Sequence, residues 1–244
     1  MSSARSAAQR SALRQGLAVG AATAAYGVSF GALAVASGLD IWQTCVLSLL
    51  MFTGGSQFAL VGVLASGGAS AGGAAIASAA LLGVRNTAYG IRMKPIVGGG
   101  FLRTVAAAWV TIDESTAVSL AQSEPRARRT GFWVTGIAVF IGWNLTTLIG
   151  ALIGDVLGDT RMYGLDAAAA AAFLGLLWPR LTRLQPVAVA CGAAILAGIL
   201  TPALAPGLPV ILAAIVAILV GVFNWFSHTR DDAPGQAHGQ EGER

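Results

Sequence analysis

Apolar residues fill most of the chain between Arg14 and Phe226, in runs long enough to cross a lipid bilayer. A helix needs about 20 residues to span the hydrocarbon core. On that length scale the hydrophobic pattern predicts eight membrane segments. They cover residues 16–37, 41–65, 71–91, 104–121, 131–154, 165–178, 186–204 and 208–226. We therefore expect an all-α protein, a polytopic transmembrane helix bundle with about seven or eight membrane segments.

Two of these segments carry polar or flexible residues at their centres. Segment 41–65 contains Thr53-Gly-Gly-Ser-Gln57, and segment 104–121 contains the adjacent carboxylates Asp113 and Glu114. Interrupted helices bring helix ends to a midplane site in many transporters, and irregular backbone at membrane depth is tolerated only where it lines protein or water. The pattern predicts at least one broken or re-entrant helix here.

Composition supports a membrane protein and excludes a water-soluble domain. Hydrophobic residues make up 55% of the chain and charged residues 11%, and the mean hydropathy is +0.71, which leaves too little charge to cover a soluble surface. The Arg residues lie at segment ends and form no basic face, so nucleic acid is not an expected partner. Cys45 and Cys191 lie in apolar runs without metal-ligand spacing, and we expect no disulfide, metal or cofactor.

Loop charges predict the orientation. Arg residues cluster at 5–14, 126–129 and 180–183, whereas acidic residues mark Asp40 and the stretch 155–166. The positive-inside rule makes the Arg-rich side cytoplasmic. Counting eight crossings then predicts a cytoplasmic N-terminal segment (1–14), a transmembrane transport domain (15–226) and a disordered cytoplasmic tail (227–244), in the cell inner membrane.

One loop disagrees with strict alternation, which would place Arg92, Lys94 and Arg103 outside. Either those charges face a cavity, or one segment within 41–91 and segment 104–121 each enter and leave on the same side. The sequence leaves both possibilities open.

Asp113 and Glu114 are the strongest functional candidates. Carboxylates at membrane depth are costly, so they usually line an ion or substrate path. We predict that they carry the coupling proton of a transporter. The alternatives are a structural ion pair with Arg85 or Arg103, and a segment that simply lies in the membrane interface.

The candidate substrate-binding residues share polar or backbone groups that an amino-acid ligand could use. Adjacent glycines expose backbone groups, and a guanidinium matches a carboxylate. They are Gly54, Gly55, Ser56, Gln57, Arg85, Asn86 and Tyr89. Helix packing for the first four, and snorkelling or interhelical hydrogen bonds for the others, are the alternatives.

Four motifs together resemble the AzlC family, the large subunits of branched-chain amino-acid exporters. They are Tyr26-Gly27, Phe52-Thr-Gly-Gly-Ser-Gln57-Phe58, Arg85…Tyr89-Gly90 and Thr111-Ile-Asp113-Glu114. The resemblance implies a permease that exports valine, leucine, isoleucine or methionine together with a small AzlD-type membrane subunit. Many members carry His where this chain has Asn86, so the proton route here would depend on Asp113 or Glu114.

Two further classes remain: a transporter of another small solute and a membrane subunit that does not itself transport. An intramembrane aspartyl hydrolase needs two facing Asp residues, and only Asp113 is well placed. Both His residues, His228 and His238, fall at or beyond the end of the last segment, so a serine hydrolase is not indicated either.

Overall fold

The computed structural model describes residues 2–157, 174–175, 177–178 and 181–223, which form helices and no strand. The helices are α1 (Ser2–Ala36), α2 (Ile41–Leu50), α3 (Gly54–Gly67), α4 (Gly72–Val97), α5 (Phe101–Trp109), α6 (Asp113–Leu120), α7 (Pro125–Leu157), α8 (Leu184–Leu200) and α9 (Leu208–Phe223). The predicted all-α class is confirmed for these residues. Most of segment 165–178, part of the acidic stretch 155–166 and the tail 227–244 lie outside the described residues.

The long helices α1 and α7 form the most extensive helix pair. Gly20 on α1 faces Ala138 on α7, and farther along, Gly31 faces Ala151. Because the contacts advance in the same direction on both helices, the pair is parallel. A Cβ atom on Gly20 would lie 2.6 Å from the Cβ of Ala138, so small residues are needed for this close approach.

Helices α3 and α4 are antiparallel, joined by a 3₁₀ turn, Gly68–Ala71. Gly55 at the start of α3 faces Arg85, whereas Val63 packs against Ala75 near the start of α4. The helical stretch from Gly54 to Val97, which is apolar enough to span a membrane, is thus folded back on itself at the turn.

The two ends of the bundle differ in charge. The end of α4 meets the start of α7, where Arg129 Nε donates to the carbonyl oxygen of Ile96 at 3.0 Å. Because α1 and α7 both start here and bring Arg10 and Arg128, we call this the basic end. The opposite end, near Asp40 and the last turn of α7, we call the acidic end.

The first re-entrant element consists of α2 and α3 (41–67). It starts at the acidic end, where the Asp40 carboxylate accepts from the backbone N–H of Gln43 at 2.7 Å and caps α2. It reaches mid-bundle where the ring of Phe52 packs 5.0 Å from that of Phe140. Helix α3 then returns toward the acidic end along α4.

The second re-entrant element consists of α5 and α6 (101–120) and approaches from the basic end. It starts next to Gly98, packs Val110 against Gly136 at mid-bundle, and returns with Val118 against Gly131. Residues 110–112 and residues 51–53 interrupt the two elements at the same depth, which gives each a tip of three non-helical residues.

Local chemistry explains why both elements break. Val110-Thr-Ile112 is a run of β-branched residues, which disfavour helix, and Gly54-Gly55 weakens the first element. Buried side chains satisfy the freed backbone groups. Gln57 Nε2 donates to the Met51 carbonyl at 2.7 Å, and Ser115 Oγ donates to the Val110 carbonyl at 2.8 Å. The breaks are therefore stable features of the interior.

These elements correct the eight-crossing count. Segments 41–65 and 104–121 bend back at their centres, so they do not run from one end of the bundle to the other. Arg92, Lys94 and Arg103 consequently lie at the basic end, which resolves the disagreement over their loop in favour of segments that enter and leave on one side. The predicted broken or re-entrant helix is confirmed, and the described part of the chain contains two such elements.

The two halves of residues 2–120 repeat with opposite orientation. A long helix followed by a re-entrant element occurs twice, as α1 with α2–α3 and as α4 with α5–α6. When the starts of α3 and α6 are aligned, Gly54 corresponds to Asp113 and Tyr26 to Arg85, each pair 59 residues apart. Because the first element comes from the acidic end and the second from the basic end, this is an inverted repeat.

Helices α8 and α9 pack against each other, and α9 also contacts α4. Their connection lies at the acidic end, where Gly207 faces Ala74 and Pro206 faces Gly67. The predicted segments 186–204 and 208–226 correspond to these helices within a few residues.

Candidate functional site

A cavity of about 310 Å³ lies where the tips of the two re-entrant elements meet. Its walls come from both halves of the repeat, from α7 and from Leu177. The lining residues are Thr23, Tyr26, Phe52, Thr53, Gly54, Gly55, Phe58, Leu82, Arg85, Ile112, Asp113, Glu114, Val139, Trp143 and Leu177. Most are apolar or aromatic, and the charged groups are confined to Arg85 and the carboxylate pair.

The start of α3 presents backbone rather than side chains to the cavity. Thr53 is extended, and the N–H groups of the first turn have no carbonyl within the helix to bond. A Cβ atom on Gly54 would lie 3.1 Å from the Trp143 ring, and one on Gly55 would lie 2.9 Å from Arg85 Nη2. The two glycines thus allow a helix N-terminus to approach both the indole and the guanidinium.

The start of α6 meets the same cavity from the other half of the repeat. Asp113 and Glu114 are its first two residues, so their carboxylates lie at a second helix N-terminus, where negative charge is favourable. Two helix N-termini facing one cavity form a positive environment that suits an anionic group.

Arg85 and Asp113 form an ion pair in the cavity wall, and it joins the two halves of the repeat. Arg85 Nη2 lies 3.2 Å from Asp113 Oδ2. Their side chains are 31% and 22% exposed, so the pair is accessible from the cavity although largely withdrawn from the surface. Arg85 Nε is buried and makes no hydrogen bond within the described part of the chain. The guanidinium thus keeps donor capacity beyond its contact with Asp113.

Gln57 does not line the cavity. Its side chain is fully buried behind the cavity wall, where Nε2 donates to the Met51 carbonyl and Oε1 accepts from Trp143 Nε1 at 2.8 Å. Ser56 is also buried away from the cavity, with Oγ facing Gly83 on α4. Direct contact of either side chain with substrate stays a prediction that this geometry does not favour.

Asn86 and Tyr89 lie on α4 on the basic-end side of Arg85, outside the cavity lining. Both are partly buried, and Asn86 Oδ1 is buried without a hydrogen-bond partner among the described residues. Of the nine predicted site residues, the structure brings five together at the cavity. They are Gly54, Gly55, Arg85, Asp113 and Glu114.

Sequence reasoning missed several lining residues, chiefly Thr23, Tyr26, Leu82, Val139 and Trp143. The sequence did mark Tyr26 and Trp143 as candidates, because each is an aromatic residue with a polar atom in the middle of a long apolar helix. Thr23, Leu82 and Val139 had none, because such residues are equally common on packed or lipid-facing surfaces.

No group of three or more His, Cys, Asp or Glu side chains capable of holding a metal ion occurs within the described ranges. The cavity presents one guanidinium, two carboxylates and two helix N-termini around an otherwise apolar space.

Comparison with known proteins places this site in context. The sequence profile of the family described as AzlC protein matches residues 18–157, a region that contains both re-entrant elements and helices α1, α4 and α7. Searches of curated proteins and of solved structures gave no match. The matched region covers more than half of the sequence and carries every charged group of the cavity. The chain therefore belongs to the AzlC family.

Proposed function

We propose that this protein is a membrane permease for small zwitterionic amino acids with apolar side chains, in particular the branched-chain ones. The observation that carries the proposal is the cavity between the two tips. It combines groups that bind an anion, groups that bind a cation and an apolar remainder within about 310 Å³. This volume is at the small end of the usual range for ligand pockets, which favours a small solute.

The carboxylate of the substrate is expected at the start of α3. The first-turn N–H groups and the positive end of the helix dipole favour an anion there. Arg85 Nη2 lies close to Gly55, so the guanidinium can share the same carboxylate. The ammonium group is expected at Asp113 and Glu114. The apolar side chain would then face Phe52, Phe58 and Trp143.

Proton coupling is proposed to follow from competition for the two carboxylates. The substrate ammonium and a proton each neutralise a carboxylate charge that is costly at membrane depth, so Asp113 or Glu114 holds one of them at a time. Binding of substrate therefore releases the proton, and release of substrate allows a proton to bind again. Arg85, which pairs with Asp113 at 3.2 Å, turns toward the substrate carboxylate when substrate is bound.

Alternating access is proposed to use the inverted repeat. The first re-entrant element separates the cavity from the acidic end, and the second separates it from the basic end. Movement of one element at a time would open the cavity to one side of the membrane and then to the other. The basic end is assigned to the cytoplasmic side of the inner membrane, and both termini are assigned to that side.

A small AzlD-type membrane subunit is the proposed partner, an expectation that follows from the family. Contact would lie within the lipid bilayer, because the described helices present many exposed apolar side chains and little polar surface. Export as the direction of transport likewise rests on the family.

The decisive experiment measures counterflow of radiolabelled leucine in proteoliposomes that contain the purified protein with or without its small subunit. Counterflow of leucine that depends on both subunits would support the full proposal. Transport of a different solute class would favour the alternative substrate, and absence of counterflow for every solute tested would indicate a subunit that does not transport.

A further inference from the structure

Gln57 ties the first re-entrant element to helix α7. Its Nε2 donates to the carbonyl of Met51 at 2.7 Å and lies 3.4 Å from that of Ser48, both at the end of α2. Its Oε1 accepts the indole N–H of Trp143 at 2.8 Å. The Gln57 side chain is 0% exposed, so water does not replace these partners. The Gln57 amide therefore holds in place both the break between α2 and α3 and the indole of Trp143.

Trp143 is both held by Gln57 and part of the cavity wall. Its ring is stacked on Phe30, with centroids 6.1 Å apart, and meets Phe58 edge-on at 6.2 Å. The outer edge of the indole lies against Gly54, where a Cβ atom would come within 3.1 Å. The indole is 4% exposed, and rotating it would leave two buried polar groups unpaired.

We propose that Trp143 is the specificity-determining residue that limits the size of the substrate side chain, and that Gln57 is the positioning residue that holds it. This rests on the function proposed above. The indole is the largest side chain of the cavity wall and lies beside the α3 N-terminus, where the substrate carboxylate is expected. The substrate side chain extending from there must fit beside a ring that Phe30, Phe58 and the hydrogen bond to Gln57 hold in place.

The inference predicts a change in preference rather than a general loss of transport. In Trp143→Ala the ratio of phenylalanine to valine transport, each as kcat/KM, should rise by about tenfold or more, the lower range for steric discrimination between apolar groups. Trp143→Phe removes the N–H group and part of the bulk, so the ratio should rise less. Gln57→Leu keeps the indole but removes its hydrogen bond, so the ring can move and the ratio should also rise.

A double-mutant cycle distinguishes positioning from structural damage. If Gln57 acts through the indole, Gln57→Leu should change the ratio little in a Trp143→Phe background, because the hydrogen bond is already absent. Trp42→Phe is the matched control, since Trp42 is exposed at the start of α2, remote from the cavity. Yield and elution profile of each variant in detergent report folding.

The outcomes separate the two proposals. Wild-type protein that transports valine, with an unchanged ratio in both Trp143→Ala and Trp143→Phe, overturns the assignment of Trp143. If the Trp143 variants change the ratio, and Gln57→Leu changes it as much in the Trp143→Phe background as in the wild type, the role of Gln57 is overturned. All variants are assayed together with the small subunit, and wild-type complex that transports no amino acid overturns the proposed function and this inference with it. If Trp143→Ala fails to fold, Trp143→Phe decides.

Discussion

At the residue scale, the proposed proton coupling depends on Asp113 and Glu114, and Asp113 pairs with Arg85 at 3.2 Å in the cavity wall. In Asp113→Asn or Glu114→Gln, efflux driven by a pH gradient should stop, whereas exchange of internal for external substrate should continue. The reason is that exchange needs no net proton movement, and the carboxylate that remains in each single variant can still bind the substrate ammonium. Radiolabelled efflux and exchange in proteoliposomes measure the two.

Arg85→Ala should impair both processes, by on the order of a hundredfold, since it removes a charged partner from the expected carboxylate site. Asp155→Asn is the control, because Asp155 is exposed near the end of α7. Normal pH-driven efflux in both carboxamide variants would show that the carboxylates are structural and that coupling occurs elsewhere.

A second prediction at this scale concerns the two glycines at the start of α3. Gly54→Leu and Gly55→Leu should abolish transport, because the first carbon of a new side chain would meet the Trp143 ring at 3.1 Å or push aside the Arg85 guanidinium, whose Nη2 would lie 2.9 Å away. The remaining side-chain atoms would fill the space assigned to the substrate carboxylate. Transport by either variant at the wild-type rate would contradict the assignment.

Gly73→Leu is the matched control for these substitutions. It lies near the start of α4, where a new Cβ atom would meet nothing within 4 Å, so it should retain transport. The comparison keeps the chemical change constant and alters only the site at which it is made.

At the element scale, the parallel pair α1–α7 forms the framework that carries Trp143. Gly31→Leu should lower the stability of the folded protein, because the new Cβ atom would overlap the Thr147 carbonyl, and backbone atoms cannot move aside. Overpacking of this kind costs about 1–3 kcal/mol or more. Thermal unfolding in detergent should therefore begin several degrees lower.

Gly90→Leu provides the comparison for Gly31, because the two glycines occupy equivalent places in the inverted repeat but Gly90 has nothing within 4 Å. The Gly90→Leu protein should unfold at a temperature close to that of the wild type. Equal melting of both variants would indicate that the α1–α7 contact is looser than the structure shows.

At the scale of the whole molecule, the two re-entrant elements predict a topology that differs from strict alternation. In a protein with Cys45 and Cys191 replaced by Ser, Ser70→Cys should react with a membrane-impermeant thiol reagent from outside the cell. Gly99→Cys should react only after the membrane is opened. Both positions are exposed, Ser70 between α3 and α4 and Gly99 between α4 and α5.

Strict alternation gives the reverse result for both cysteines, so the experiment decides between the two arrangements. Reporter fusions add a test of the remaining chain. A fusion at Ser227 should report the cytoplasm and one at Gly158 the outside, and the same side for both would contradict the proposed orientation.

The sequence by itself determined the class of the protein and the charged centre of its site. Apolar runs of about 20 residues have few stable arrangements in a bilayer, so the all-α membrane bundle could be predicted from hydropathy. Asp113, Glu114 and Arg85 could be identified because charge at membrane depth is rare and costly. The interruptions before Gly54-Gly55 and before Asp113 also had local causes that are visible in the sequence, the two glycines and the β-branched run 110–112.

Only the tertiary structure decided how those parts are arranged. Whether a broken segment crosses or turns back depends on the helices it packs against, which hydropathy does not record. The inverted repeat could not be seen in the sequence because equivalent positions carry different residues, such as Tyr26 and Arg85 or Gly54 and Asp113. Gln57 looked like a ligand because its amide is polar at membrane depth. Contacts from α2 and α7, distant in sequence, satisfy that amide and make Trp143 the residue that faces the cavity.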